Sequence, residues 1–190
     1  MIRLAVLGGI GSGKSYLARS FGYPVFNADD EVGKIYRKNK NIFQKLKKKL
    51  PKFIKNFPIQ KEELMSAIHQ NENNIKKIIS IVHPEVRKQM NLFLSKNKNK
   101  KLVVLDIPLF LENKLNLPTD ILVFVDSNEQ QSLKKIQKRK GFNKKIFNYL
   151  KKIQLPVDTK KSMADFVVKN NFNSAKIKKE AKNLIEKIIV

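Results

Sequence analysis

The stretch Gly8-Gly9-Ile10-Gly11-Ser12-Gly13-Lys14-Ser15 carries glycines, a lysine and a serine at the spacing G-x-x-x-x-G-K-[ST]. That spacing is the P-loop, and its chemistry is phosphate binding. Glycines let successive backbone N–H groups turn inward toward phosphate oxygens. A helix starting there adds the partial positive charge of its N-terminus. Gly11, Ser12 and Gly13 form the cradle, and Lys14 reaches the β- and γ-phosphates. Ser15 offers its hydroxyl to Mg²⁺. Tyr16, next in line, is counted with the nucleotide site. A chance glycine-rich turn is the bland alternative, and the flanks argue against it. Ile2 to Leu7 is an apolar run that reads as a buried strand, and Ser15 to Phe21 reads as a helix start. The motif requires this strand–loop–helix order. It implies a bound nucleoside triphosphate and leaves the phosphate acceptor open.

Other residues that could do chemistry fall at the ends of expected strands. Val25-Phe26 reads as a short second strand, and Asp29 and Asp30 follow it. Ligands of an open α/β sheet bind beyond the carboxyl ends of its strands. A carboxylate there can accept a proton from an acceptor hydroxyl, or it can cap the helix expected from about Asp30 to Tyr36. Position alone divides these readings evenly for Asp29, with Asp30 the better cap. The run from Lys101 ends in Asp106, a Walker B pattern whose carboxylate orients Mg²⁺ directly or through water. The segment Ile107-Pro108-Leu109-Phe110-Leu111-Glu112 follows. Pro108 lacks a donor and cannot continue a central strand. Packing is the plain reading of its Leu and Phe residues. Glu112 is evenly divided between a site carboxylate and an exposed one.

The elements that would position these groups alternate. Ile121 to Val125 reads as a further buried parallel strand, and Ala164 to Val168 as the last strand. The expected fold is therefore α/β: three layers around a five-stranded parallel sheet in one domain over residues 1–190. Residues 40–100 show no strand signal and read as a helical insertion. Within it His83-Pro84 opens a helix running from Glu85 to Leu94, with proline near the first position. Residues 128–160 carry two basic helices, Gln130 to Lys140 and Lys144 to Ile153, joined at Gly141-Phe142-Asn143. They are placed like the lid of a nucleotide kinase, which supplies cations and excludes water. Solvated surface helices are the bland alternative. Ser174 reads as the cap of a last helix reaching Ile189.

Composition bounds the rest. The chain has 190 residues, 42% of them apolar, enough for a real core, and no cysteine, which excludes disulfides and thiolate metal sites. No apolar run reaches membrane-spanning length, and a strand begins at once, so a cytoplasmic protein without a signal peptide is expected. Lys+Arg is 40 against Asp+Glu 16, a net charge of +24. Such a balance raises nucleic acid as a partner. Yet all but five of these cations are lysine, spread over the whole chain among many Asn and Ile, whose codons are A/T-rich. Specific nucleic-acid sites favour arginine, stacked aromatics or a basic stripe. No nucleic-acid or membrane partner is expected, and a monomer or weak homo-oligomer is. A nucleic-acid-binding P-loop ATPase remains the rival of another class.

The motifs taken in order resemble the dephospho-CoA kinase family along the whole chain. The double-glycine P-loop from Gly8 to Ser15 is similar to the family's, and Asn27-Ala28-Asp29 is similar to its Asp-Ala-Asp run. His83-Pro84, Pro108-Leu109 with Glu112, Arg139, Gln154, Lys160 and Ala164 to Asn170 resemble its later motifs. The resemblance implies ATP-dependent phosphorylation of the ribose 3′-hydroxyl of dephospho-CoA, with Mg²⁺. It implies that Asp29 is the base, that Arg139, joined by Lys135, meets the ATP phosphates, and that Lys14 acts in catalysis. It also implies that His83, Arg87, Pro108, Leu109 and Glu112 line the acceptor site. A kinase of another small nucleotide-like acceptor is the nearest alternative. The chain departs from the family at Tyr16, where Thr or Ser is usual, and at Asn27, where an Asp charge is lost. It departs also at Lys61 and Lys135, where arginine is common and lysine lacks the bidentate fork.

Overall fold

A computed structural model describes residues 1–139 and 141–189. The chain runs β1 (Ile2–Gly8), α1 (Lys14–Ser20), β2 (Val25–Asn27), α2 (Ala28–Lys38), α3 (Lys40–Lys49), α4 (Lys61–Gln70) and α5 (Glu72–Lys96). It continues with β3 (Leu102–Asp106), β4 (Ile121–Ser127), α6 (Glu129–Gln137), α7 (Lys144–Ile153), α8 (Val157–Ser162), β5 (Phe166–Asn170) and α9 (Ser174–Ile188). It divides into two compact units.

The first unit holds residues 1–27, 96–142 and 150–190. Its five strands form one parallel sheet in the order β2-β3-β1-β4-β5. β1 is central because it is apolar on both faces, as a strand covered on both sides must be. Alternate residues of a strand face opposite ways. Leu4 and Val6 join Leu102, Val104, Val123 and Val125 in a core with Leu17 and Phe21 of the α1 region and Ile177, Ala181 and Leu184 of α9. Ala5 and Leu7 are also buried, and α8 lies against β1 and β4. This is the expected three-layer α/β architecture.

A buried ion contact fixes the root of the sheet. Arg3 Nε lies 2.9 Å from Asp120 Oδ1, and its Nη2 donates to Asp120 Oδ2 at 3.0 Å and to the Leu115 carbonyl at 3.1 Å. The Nε–Oδ1 contact is close in distance but lacks hydrogen-bond alignment. The Leu117 N–H also donates to Asp120 Oδ2. The segment that leads from β3 to β4 is thereby anchored to β1.

The second unit holds residues 28–95 and 143–149. Its core joins Ile35 of α2, Ile42 and Leu46 of α3, Leu50, Ile54, Ile59, Leu64 and Ala67 of α4, and Ile78 and Val82 of α5. Glu63 stitches the α3–α4 connection, accepting from the Lys55 and Asn56 N–H groups at 3.1 Å and from Asn56 Nδ2 at 2.9 Å.

Several boundaries differ from expectation. His83-Pro84 does not open a helix; both lie inside α5, which runs on for 25 residues. Proline removes the bond to the carbonyl four residues earlier, and its ring crowds that carbonyl. Ile75, Ile78, Val82 and Met90, buried on both sides of it, hold the helix together. α2 starts at Ala28, so Asp29 and Asp30 are first-turn residues rather than caps. Acidic groups there favour the helix dipole. α6 ends at Gln137, with Arg139 in the turn beyond; Lys140 lies outside the described residues. α8 was not anticipated. The cap of α9 is Asn173, whose side chain accepts from the Lys176 N–H at 3.1 Å, and Ser174 is already helical. β5 reaches Asn170, two residues later than expected.

Replacing Arg3 with methionine would strand the Asp120 carboxylate, whose side chain is inaccessible to solvent. Urea unfolding of Arg3→Met should show a loss of about 3 kcal/mol, the usual cost of leaving a buried charge without its partner. A loss below about 1 kcal/mol, the range of exposed pairs, would show the contact to be dispensable.

Candidate active site

The P-loop occupies the turn between β1 and α1. Gly13 has φ 94° and sits at the cap position of α1, so the backbone is left-handed where the helix begins. Side chains crowd the loop from outside. A Cβ on Gly11 would meet Ile136 Cδ1 at 2.8 Å and the Ser132 carbonyl at 2.9 Å. α6 is therefore seated on the loop. Arg139 follows one turn on, its N–H donating to the Ile136 carbonyl at 3.0 Å. The expected lid arginine is thus rooted beside the phosphate cradle, and its side chain is exposed. Lys14 is buried, and its Nζ donates to the Gly9 carbonyl at 2.7 Å and the Gly8 carbonyl at 3.3 Å. Ser12 is buried, and its hydroxyl makes no hydrogen bond among the described residues. Ser15 is half-buried, and Tyr16 is two-fifths exposed at 41%.

Asp106 ends β3, one residue past the Ala5–Leu105 pair of the central strands. It is buried, and Asn27 Nδ2 donates to its Oδ2. Asn27 and Asp106 are also register partners between β2 and β3. The amide at position 27 has a role that an aspartate could not play: a carboxylate there would repel Asp106. Sequence reasoning treated this position as a lost charge and missed the bond, because strand register is not visible in sequence.

The donors suit Mg²⁺. Ser15 and Asp106 are hard oxygen ligands, and the described residues contain no cluster of three or more His, Cys, Asp or Glu side chains able to cage a metal. Mg²⁺ takes few protein ligands and completes its shell with substrate phosphates and water.

The segment after Asp106 is pinned. Lys160, 2% exposed, places Nζ 2.9 Å from Glu112 Oε1, an ion contact without hydrogen-bond alignment. The Leu155 N–H donates to the same oxygen at 2.9 Å, and Gln154 Nε2 reaches the Pro108 carbonyl at 3.4 Å. Glu112 is thus neither exposed nor helical. Leu109 is buried, and Pro108 is half-buried. Gln154 and Lys160, noted in sequence only through a resemblance, prove to be its partners. Lys135 lies over the Phe172 ring, with Nζ 4.7 Å from the centroid.

The remaining expected site residues belong to the second unit. Asp29 is exposed in the first turn of α2, the helix that continues directly from β2. His83 and Arg87 are four residues apart in α5, so they share one face. His83 is half-buried and Arg87 exposed. Burial, and then the Arg87 guanidinium, hold the imidazole below its ordinary value of 6.5. Lys61 opens α4 and is exposed.

A glycine cradle between a central parallel strand and a helix, with a buried Asp ending the adjacent strand, defines a P-loop phosphotransferase of the three-layer α/β class. The comparisons carry this further. The family model for dephospho-CoA kinase matches residues 2–176. A dephospho-CoA kinase of Wolbachia sp. subsp. Brugia malayi is 32% identical, with 97% of each chain covered. Among solved structures, a Thermus thermophilus protein is 25% identical over 100% of this chain and 98% of its own, with TM-score 0.78. A dephospho-CoA kinase from Campylobacter jejuni shares the fold at TM-score 0.67 and 24% identity, over 98% of this chain and 96% of its own. The chain belongs to the dephospho-CoA kinase family.

The neutral His83 yields a pH prediction. The unfolded chain takes up a proton on this residue as pH falls through 6.5, while the folded chain resists it. Stability is therefore full above that pH and declines below it, because the unfolded state then binds more protons. His83→Gln should lose part of this decline when unfolding free energy is measured by urea at a series of pH values below 6.5. Identical acid slopes in the two proteins would remove His83 as a contributor.

Proposed function

We propose that this chain phosphorylates the ribose 3′-hydroxyl of dephospho-CoA with ATP, the step that yields coenzyme A. The observation that carries the reading is the family match across residues 2–176 together with an intact phosphate cradle at Gly8–Ser15. Phosphoryl transfer leaves the protein little covalent work; it acts by positioning and by stabilising charge. The amides of Gly11, Ser12 and Gly13 and the ammonium of Lys14 hold the β- and γ-phosphates, with Tyr16 beside the nucleotide. Mg²⁺, held by the Ser15 hydroxyl and by Asp106 directly or through water, supplies charge neutralisation at those phosphates when bound. Arg139, with Lys135 on the preceding helix, faces the transferring group as the 128–160 region closes.

Asp29 accepts the proton of the acceptor hydroxyl. Its place in the first turn of the helix leaving β2 supports this role, since a ligand of such a sheet binds beyond the strand ends. The helical unit grips dephospho-CoA, with His83 and Arg87 on one face of α5, and Pro108 and Leu109 lining the acceptor path. Glu112 shapes that path, its carboxylate being held by Lys160 and the Leu155 N–H. The reading includes a cytoplasmic enzyme, monomeric or weakly self-associating, without a nucleic-acid or membrane partner. No described helix is long and apolar enough to cross a membrane. Lysine spread along the whole chain accounts for the charge of +24.

The direct test is incubation with ATP, Mg²⁺ and dephospho-CoA, with adenosine, AMP and shikimate as parallel acceptors, read by mass spectrometry. Conversion of dephospho-CoA to CoA is expected; transfer only to another acceptor, or to none, would overturn the reading. Two variants test the roles. Lys14→Ala should lower turnover about a hundredfold or more, because it removes a fixed cation from the transition state. Asp29→Asn should lower turnover by about a hundredfold, the scale of general-base catalysis, while ATP affinity stays within about twofold. Near-normal turnover in a folded Asp29→Asn protein would exclude it as the base.

A further inference from the structure

One buried amide outside the P-loop sets the direction of a peptide within it. Asn170 closes β5 and is 6% exposed. Its Nδ2 donates to the Ser12 carbonyl at 2.7 Å, and its Oδ1 accepts from the Phe172 N–H at 2.7 Å. Both halves of the side chain are thus engaged by backbone. In a trans peptide the C=O and N–H lie in one plane and point in opposite directions. Drawing the Ser12 carbonyl toward β5 therefore turns the Gly13 N–H away from β5. Rotating that peptide would break the Asn170 bond and leave a buried donor without a partner. The approach is close: a Cβ on Gly13 would lie 2.3 Å from Asn170 Nδ2. The glycine thus serves two needs at one residue, a left-handed φ of 94° and room for the amide.

The same side chain governs the next loop. Phe172 has φ 62°, a left-handed conformation that bulky residues seldom adopt. The bond from its N–H to Asn170 Oδ1 holds it there, beneath Lys135. Asn170 thereby joins the phosphate loop to the loop after β5 and, through Phe172, to the basic end of α6.

We propose that Asn170 is the positioning residue of the phosphate cradle. By holding the Ser12 carbonyl outward it presents the Gly13 N–H to the phosphate tail of the nucleotide, and so sets affinity for that tail. The proposal rests on the reading of Gly8–Ser15 as the ATP site. Asn170 acts through the Ser12–Gly13 peptide and touches no reacting atom.

The substitution that separates this role from packing is Asn170→Asp in the full-length protein. It keeps shape and the acceptor for Phe172, and it places an oxygen against the Ser12 carbonyl. The expected result is a rise of about tenfold or more in the KM for ATP and the Kd for ADP, the scale of a lost buried hydrogen bond. The KM for dephospho-CoA at saturating ATP should stay within about twofold, because sites without shared partners respond independently. An unchanged ADP affinity in the folded variant would overturn the proposal. So would an equal rise in the KM for dephospho-CoA, the mark of a general structural lesion. A second measurement uses the wild type and decides the matter even if Asn170→Asp does not fold. Inorganic pyrophosphate is titrated and the backbone amide signals of the loop are followed by NMR. A Gly13 amide that shifts with saturation supports the proposal; one that stays still while the Lys14 amide shifts overturns it. A wild-type protein that binds neither ADP nor pyrophosphate overturns the ATP-site reading as well. Failure of Asn170 alone leaves wild-type binding intact.

Discussion

A phosphate cradle made of backbone amides works only if its peptides face the right way, and the bonds inside this loop, from Lys14 Nζ and the Ser12 N–H, reach the Gly8 and Gly9 carbonyls. Orientation of the Gly11 to Gly13 stretch is imposed from neighbouring elements. In this protein it comes from two directions. α6 presses Ile136 and the Ser132 carbonyl onto Gly11, and β5 supplies Asn170 to the Ser12 carbonyl. Each contact occupies the space where a side chain would stand. The glycines at 11 and 13 are therefore required by their neighbours as much as by their own left-handed φ of 79° and 94°. The sheet order follows the same need. β1 carries the loop at the centre, with β4 beside it and β5 next, so the elements that brace the loop leave the sheet at the same edge.

Carboxylates shielded from water organise the stretch that joins β3 to β4. Asp120 meets Arg3, Glu112 meets Lys160, and Asp106 meets the Asn27 amide. Removing charges from water costs several kcal/mol per ion, which the partner only partly offsets. Such contacts add little net stability, but they penalise every arrangement that separates the partners. They act on one stretch, residues 106–120, which leaves β3 at Asp106 and enters β4 after Asp120. With both ends and Glu112 pinned, this irregular segment needs no secondary structure to keep one shape. That suits a segment proposed to line an acceptor path.

Local features of this fold were legible in the sequence, and long-range pairings were not. The P-loop declares itself because its glycines, Lys14 and Ser15 lie within eight residues. The strands ending at Gly8, Asp106 and Ser127 show as apolar runs because parallel strands are covered on both faces. Pro84 misled the reading, since a proline signal is local while the burial of Ile78, Val82 and Met90 that carries α5 through it is tertiary. Ser174 was chosen as a cap over Asn173 because both residue types can cap and only geometry decides between them. Glu112 was left undecided in sequence because its partner Lys160 is 48 positions away. Asn170 was noted only as the end of a motif run, because its bond to the Ser12 carbonyl spans 158 positions of sequence.

The same division between buried and exposed explains how a chain of charge +24 can be specific for small anions. Among the described lysines only Lys14 and Lys160 are buried. Lys160 is committed to Glu112, which leaves Lys14 as the one buried lysine within the phosphate loop. The remaining lysines are hydrated point charges in a high dielectric, where a pair of charges 4 Å apart is worth about 1 kcal/mol and salt screens it further. They raise the local concentration of any anion and speed its encounter with the protein without choosing among anions. Selection has to come from the water-poor positions, where a fixed amide or ammonium is worth several times more. A strongly basic surface and a narrow substrate choice are therefore compatible. The surface acts on arrival, and the cradle braced by Ile136 and Asn170 acts on binding.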